Sequence, residues 1–277
     1  MTGDYVSGGT RLSFIEAGEG LPVVLLHPTP LDHEYWRPLT HELAGIRAIA
    51  PDLRGHGLSE LGSSLPTGGF ANVPGAPVLT MAQLASDILA LLDHLEISKA
   101  ILVGCSIGGY VMLELWRRTP QRMRGMIFVC SKPQPDAEAN RAKRIETIAR
   151  ARAEGVAALF DDMAQNTVAP SVRRDRPEVV AEVRAQMMLT PEAVVAVQAG
   201  LAARPNSIPT VAAIRVPVLA IAGAEDATVT AADMEAFRAA PGGCEFHVLP
   251  CAGHFAAYEQ PKRVAAIVAP WLRQFEA

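Results

Sequence analysis

Cysteine is scarce in this 277-residue chain, with four in total at positions 105, 130, 244 and 251. That is too few for a disulfide scaffold of this size. Surplus positive charge is also missing. A net charge of −4 and a pI near 6.0 give no general attraction to nucleic acid or to an anionic membrane. The opening "MTGDYVSGGT" lacks the basic and apolar blocks of a secretory signal. No apolar run approaches the length of a membrane span. The expectation is a soluble cytoplasmic protein with neither a nucleic-acid nor a membrane partner. What remains is ordinary globular material, 49% hydrophobic and 19% charged, long enough for one large domain or a core domain with an insert.

One cysteine pattern needs weighing as a metal site. "CEFHVLPCAGH" sets Cys244, His247, Cys251 and His254 at zinc-like spacing. However, "EFHVL" alternates like a strand, and residues three apart on a strand point to opposite faces. Cys244 and His247 then diverge, so the expectation is buried thiols and no metal.

Short β-type runs alternate with helical patterns, the signature of a mostly parallel sheet covered by helices, an α/β fold. "YVSGGTRLSFIEAG" reads as an opening hairpin. Strand-length apolar runs follow at 22–27, 46–52, 99–106, 125–131, 216–223 and 244–250. Between them, Leu84, Ile88, Leu91, Leu92 and Leu95 recur at helical spacing within 80–97. A last helix starts at Pro261. Residues 58–79, rich in Gly, Pro and Ser, read as a long loop of the kind that tends to be functional or mobile. Residues 133–213 hold at least four helical patterns and no convincing strand. The division that follows is a core of 1–132 and 214–277, with a helical cap of 133–213 over the carboxyl edge of the sheet, where open α/β sheets bind ligands. The Arg/Lys density of 141–152 is diluted by Glu146 and Glu154 and reads as a solvated helix face.

Chemistry enters at "VGCSIGG", residues 103–109, which leaves an apolar strand and enters a helical pattern. Gly104-Cys105-Ser106-Ile107-Gly108 fits G-x-S-x-G in the strand–turn–helix context it requires. A turn that sharp strains Ser106 and lifts its hydroxyl off the sheet edge, and small residues on either side let strand and helix approach. The helix start adds free N–H groups and a positive dipole end, suited to a developing anion. G-x-G-x-x-G is not present, which excludes a dinucleotide fingerprint here.

A serine hydroxyl is a poor nucleophile until a base takes its proton. His254 follows a strand in "CAGHFAAYEQP", just before the final helix. His247 sits mid-strand, and His33, His41, His56 and His94 lack that placement. The orienting acid comes from "GAEDATVT" directly after the 216–223 strand, with Asp226 preferred and the adjacent Glu225 still open. The order Ser106…Asp226…His254 is that of the α/β-hydrolase arrangement.

On these residues the chain resembles the α/β-hydrolase superfamily over nearly its whole length. It is most similar to bacterial serine hydrolases of the 3-oxoadipate enol-lactonase and cofactor-free haloperoxidase type. The matching stretches are "LLHPTPLD", "DLRGHGLS", "GCSIGG", "GAEDATV" and "GHFAAYEQP". The resemblance implies an oxyanion hole formed by the backbone N–H groups of Thr29 and Ile107. That gives a purpose to an oddity at 28–30: Pro28 and Pro30 flank Thr29, the one residue there able to donate a main-chain hydrogen bond. Pro28 stands where the family usually has glycine, which reshapes the hole or brings in the Thr29 hydroxyl. Asp52, Arg54 and His56 are expected to brace their loop without taking part in the chemistry.

The expected function is hydrolysis of a small ester or lactone through an acyl-enzyme, with no metal or organic cofactor. Elimination of a carboxylate, acyl transfer and carbon–carbon hydrolysis use the same fold, and a catalytically idle binding module is the reading outside enzymes. Leu159, Phe160, Met163, Met187 and Met188 read first as helix core, with the lining of a pocket for a partly apolar acyl compound as the second reading. The oligomeric state is not legible.

Overall fold

The apolar runs become strands because each is short, bounded by turn residues and dominated by Val, Ile, Leu and Ala. The computed structural model describes residues 1–63, 65–67 and 75–275. Its strands are β1 (Thr2–Ser7), β2 (Thr10–Ala17), β3 (Leu21–Leu26), β4 (Ile46–Pro51), β5 (Ala100–Cys105), β6 (Met123–Val129), β7 (Val218–Gly223) and β8 (Cys244–Leu249). They form one eight-stranded sheet in the order β1-β2-β4-β3-β5-β6-β7-β8. β1 and β2 are the expected hairpin, turning through Gly8 and Gly9 at φ of 54° and 77°, a pair of left-handed residues that matches strand twist. β2 also pairs antiparallel with β4, and from β4 to β8 every neighbouring pair is parallel.

This order contains one reversal at the centre of the sheet. After β3 the chain crosses to β4 on one side, then returns to place β5 on the other. The carboxyl ends of β3 and β5 therefore flank a switch point, where departing connections leave a crevice. β3 ends at Leu26, just before Thr29, and β5 ends at Cys105, just before Ser106.

The helices are α1 (Arg37–Thr40), α2 (Met81–His94), α3 (Ile107–Arg118), α4 (Glu138–Glu154), α5 (Ala157–Thr167), α6 (Pro170–Asp175), α7 (Glu178–Ala185), α8 (Pro191–Ala202), α9 (Ile208–Val211), α10 (Ala231–Met234), α11 (Ala256–Glu259) and α12 (Pro261–Leu272). α2 starts where the Thr80 side chain accepts a hydrogen bond from the Gln83 N–H, and it buries Leu84, Ile88, Leu91 and Leu92. Between β6 and β7 lie α4 to α9 and no strand, more pieces than the four patterns legible beforehand. The two extra pieces, α6 and α9, are short helices with proline in the first turn, where its fixed φ starts a new helix. Part of the 58–79 segment, residues 64 and 68–74, lies outside the described residues; of the rest, Thr67 and Pro77 form an isolated antiparallel bridge. Among the described residues no helix is long and apolar enough to cross a membrane.

Candidate active site

Ser106 occupies the turn between β5 and α3 with φ 50° and ψ −113°. Non-glycine residues avoid this region at a cost of about 1–3 kcal/mol. The strain is held by packing that admits no side chains nearby. A Cβ on Gly104 would stand 2.5 Å from the Gly108 carbonyl carbon, and one on Gly108 would stand 2.8 Å from that of Leu26. β5 and α3 are thus pressed together, and α3 is pressed onto β3. The Ser131 hydroxyl donates to the Ser106 carbonyl at 2.8 Å and ties the turn to the end of β6.

His254 lies in the loop between β8 and α11, with its Nδ1 2.8 Å from Asp226 Oδ2 and both side chains buried. Asp226 Oδ1 accepts from the backbone N–H groups of Thr228 (2.7 Å) and Val229 (3.0 Å). Burial of Asp226 opposes ionisation, but the imidazole and those two N–H donors outweigh it and hold the carboxyl below the ordinary aspartate value. Glu225, the open alternative, faces elsewhere and accepts from the Ser171 N–H at 2.8 Å. An ionised acid on Nδ1 selects the tautomer whose Nε2 is free to accept a proton. Ser106, His254 and Thr29 line one cavity of about 410 Å³. No hydrogen bond joins the Ser106 hydroxyl to the imidazole among the described residues; such contacts are often loose before substrate binds.

The Thr29 N–H has no backbone acceptor among the described residues, and Ile107 is the first residue of α3, where helical geometry provides none. The peptide carrying the Thr29 N–H is pinned from its other end. Its carbonyl, that of Pro28, accepts from Leu31 N–H and from His27 Nδ1, each at 3.0 Å. His27 Nε2 in turn accepts from the Leu53 N–H at 2.9 Å. Burial pushes His27 down to about 3, so the ring is neutral and its tautomer is set by these two bonds. The Thr29 hydroxyl is 2.9 Å from His56 Nε2, while His56 Nδ1 lies 3.1 Å from the Arg54 carbonyl. A carbonyl only accepts, and burial holds His56 at about 4, so Nδ1 carries the proton and the hydroxyl donates to Nε2. That commits the hydroxyl, and the backbone N–H is the donor left over.

A family model described as "Alpha/beta hydrolase family" matches residues 23–267. The chain belongs to the alpha/beta hydrolase family. A thermophilic esterase from Thermogutta terrifontis superposes with a TM-score of 0.89 at 33% identity, covering 100% of both chains. The 3-oxoadipate enol-lactonase 2 of Acinetobacter baylyi is 28% identical over 82% of this chain and 79% of its own length. The dihydrolipoyllysine-residue acetyltransferase component of the acetoin cleaving system of Pseudomonas putida is 37% identical over 45% of this chain, and the match spans only 31% of that relative.

The cavity lining divides the apolar candidates and adds a basic wall. Leu159 and Met163 line the cavity, but Phe160 and Met187 are buried outside it and Met188 is 72% exposed. The cause is packing between α5 and α7, which draws Phe160 under the Arg184 guanidinium at 5.6 Å. Conversely, the basic stretch read as a solvated face sends Lys143, Arg144 and Arg150 to the cavity wall. Their spacing gave no signal of this, because Lys143 and Arg144 are consecutive and point about 100° apart on a helix; the packing of α4 along α8 turns both to the cavity.

Asp52 and Arg54 brace the loop after β4, as His56 does at Thr29, and there is one addition. Asp52 accepts from the backbone N–H of His33 and of Leu58 and lies 2.8 Å from His33 Nδ1; with Asp32 these are the one metal-type cluster among the described residues. Arg54 forms a buried two-pronged pair with Asp87 at 2.8 and 2.7 Å. His247 lies 2.6 Å from Glu245 Oε1, not beside His254. The addition is Glu259, fully buried, whose carboxylate accepts from the N–H groups of Gly253 (2.9 Å), Phe255 (3.0 Å) and Ala169 (3.0 Å). It grips the residues on both sides of His254 and joins them to the start of α6, while the His254 N–H donates to the Thr167 carbonyl at 2.9 Å. Burial raises Glu259 above the usual glutamate value despite its three donors. Its signal was the carboxylate five residues after His254, ahead of Pro261.

Proposed function

We propose that this protein is a serine hydrolase of small esters or lactones working through an acyl-enzyme. The observation that carries the reading is a strained serine at the switch point of the sheet sharing a cavity with an imidazole that a buried aspartate orients. In this reading His254 Nε2 withdraws the Ser106 proton as Oγ attacks the carbonyl. Asp226 stabilises the imidazolium and is not itself protonated. The tetrahedral oxyanion accepts from the N–H groups of Thr29 and Ile107, each worth about 3–4 kcal/mol of transition-state stabilisation. Collapse expels the alcohol, which takes the proton from His254, and water attacks the acyl-enzyme by the same path in reverse. Similarity to an esterase and to an enol-lactonase supports the substrate class.

The test is a panel of short esters, lactones and thioesters run with wild type and Ser106→Ala, with product analysis in heavy-oxygen water. Turnover that vanishes in the variant, with one labelled oxygen in the acid product, is expected. Wild-type turnover by Ser106→Ala would overturn the mechanism. Unlabelled product would point to elimination, and product bearing another acceptor to acyl transfer.

A further inference from the structure

The wall of the cavity away from the serine is charged, and its charge does not balance. Among the described residues, the lining holds five cationic side chains and two carboxylates, Asp136 and Asp162. Arg150 accounts for Asp162, which it approaches at 3.2 Å. Asp136 is shared by two guanidiniums. Arg144 Nε donates to its Oδ2, and Arg204 Nη2 lies 2.8 Å from its Oδ1, with the Arg204 and Asp136 side chains 3% and 2% exposed. Arg204 also stacks on Tyr110, 4.4 Å from the ring centroid, and its buried Nε has no hydrogen-bond partner among the described residues.

The two lysines add to the surplus. Lys132 Nζ is 3.5 Å from Asp233 Oδ2, an oxygen that already accepts from the Thr230 N–H and hydroxyl at 3.0 Å each. Lys143 lines the cavity and has no carboxylate partner among the described residues. A chain whose net charge is −4 therefore gathers uncompensated positive charge on one wall of the cavity that holds Ser106. Lys132 and Arg144 are largely withdrawn from solvent, 12% and 21% exposed, where positive charge is unfavourable unless an anion completes it, and a concave site focuses the field of the exposed Lys143 on whatever enters.

We infer that the substrate carries an ionised carboxylate remote from its scissile carbonyl, received by Lys143, Arg144 and Lys132. The assignment rests on Ser106 as nucleophile, since that defines which end of the substrate is remote. Arg144 is held for this role from behind: Asp136 takes its Nε and Gln198 Oε1 accepts from its Nη1 at 2.8 Å. Arg204 and Tyr110 form the floor of this support. A carboxylate at the wall also fixes the register of a short substrate, so that its carbonyl meets the serine rather than sliding past it.

The deciding experiment is calorimetry at constant ionic strength with succinate as the probe and diethyl succinate as its uncharged control. The protein is Ser106→Ala, which blocks turnover, with and without Lys143→Glu. Lys143 is exposed on α4, so its reversal leaves the core packing intact. The expected result is succinate binding that charge reversal weakens by about tenfold, about 1.4 kcal/mol, with no comparable change for the diester. Absence of succinate binding, or binding indifferent to the reversal, would overturn the inference.

Kinetics with otherwise wild-type protein separates this from the parent reading. Monoethyl succinate is expected to exceed diethyl succinate in kcat/KM, and Lys143→Glu to lower that ratio through KM. Turnover of both esters with no preference refutes the carboxylate site and leaves the serine hydrolase standing. Succinate binding sensitive to Lys143, without turnover of any ester, refutes the hydrolase and leaves the anion site standing.

Discussion

Asp226→Asn is the substitution whose outcome the geometry constrains most tightly. An asparagine here has two orientations, with its oxygen or its NH2 toward His254. The native Oδ1 accepts from two backbone N–H groups, Thr228 at 2.7 Å and Val229 at 3.0 Å. Turning the NH2 toward them loses both bonds and sets donor against donor, at about 1–3 kcal/mol for each buried group left unpaired. The oxygen therefore stays with the backbone and the NH2 faces Nδ1. Nδ1 must then accept, which puts the ring proton on Nε2, where it cannot take the Ser106 proton. The expected fall in kcat is about 10⁴-fold, or about 5.4 kcal/mol, the scale seen where a triad imidazole is held in the wrong tautomer.

Asp226→Ala removes the lock as well as the charge, so its imidazole samples both tautomers, and its kcat is expected to be no lower than that of Asp226→Asn. Steady-state ester hydrolysis of the two purified variants, with circular dichroism to check folding, reads this directly. A kcat within tenfold of wild type for Asp226→Asn would refute the tautomer argument. Stability adds a second readout. The folded Asp226 carboxyl titrates below its ordinary 3.8, so its contribution is present above that value and is lost as pH falls through the folded one. Urea midpoints of wild type and Asp226→Asn should therefore converge in strong acid.

Two further substitutions follow from the same site. Thr29→Val keeps the backbone N–H and deletes a hydroxyl already committed to His56, so kcat should stay within about threefold, against the 10²-fold or more expected for a lost oxyanion donor; a loss of that larger size would assign the role to the hydroxyl. Glu259→Gln can offer its oxygen to Gly253 and Ala169 but then points NH2 at the Phe255 N–H, which should cost about 1–3 kcal/mol in urea unfolding and lower kcat more than it raises KM; unchanged kcat would remove Glu259 from the positioning of His254.

Much of this site was legible because its constraints are local. The elbow needs a strand, a strained residue and a helix within about ten positions, and the glycines at 104 and 108 advertise the close approach before any coordinate does. Apolar runs bounded by turn residues become strands wherever they lie, and the order of serine, acid and base along the chain is visible at once. The acid that meets His254 Nδ1 was legible only as one of a pair. Glu225 and Asp226 are neighbours with the same chemistry, and the choice depends on Ser171 standing on one side of the loop and His254 on the other.

The chain by itself determined a mostly parallel α/β sheet, a strained strand–turn–helix elbow at Ser106 and a set of candidate partners, because backbone sterics and apolar periodicity act over a few residues and need no distant information. Only the tertiary structure decided which faces meet. α4 carries its basic residues to the cavity because it packs along α8, not because of its own pattern. The Thr29 hydroxyl is occupied because a loop 27 residues away delivers His56 to it. Glu259 matters because three N–H groups from two separate segments converge on one buried carboxylate. These are pairings across the fold, chosen by what lies opposite, and a linear pattern carries no record of the other side.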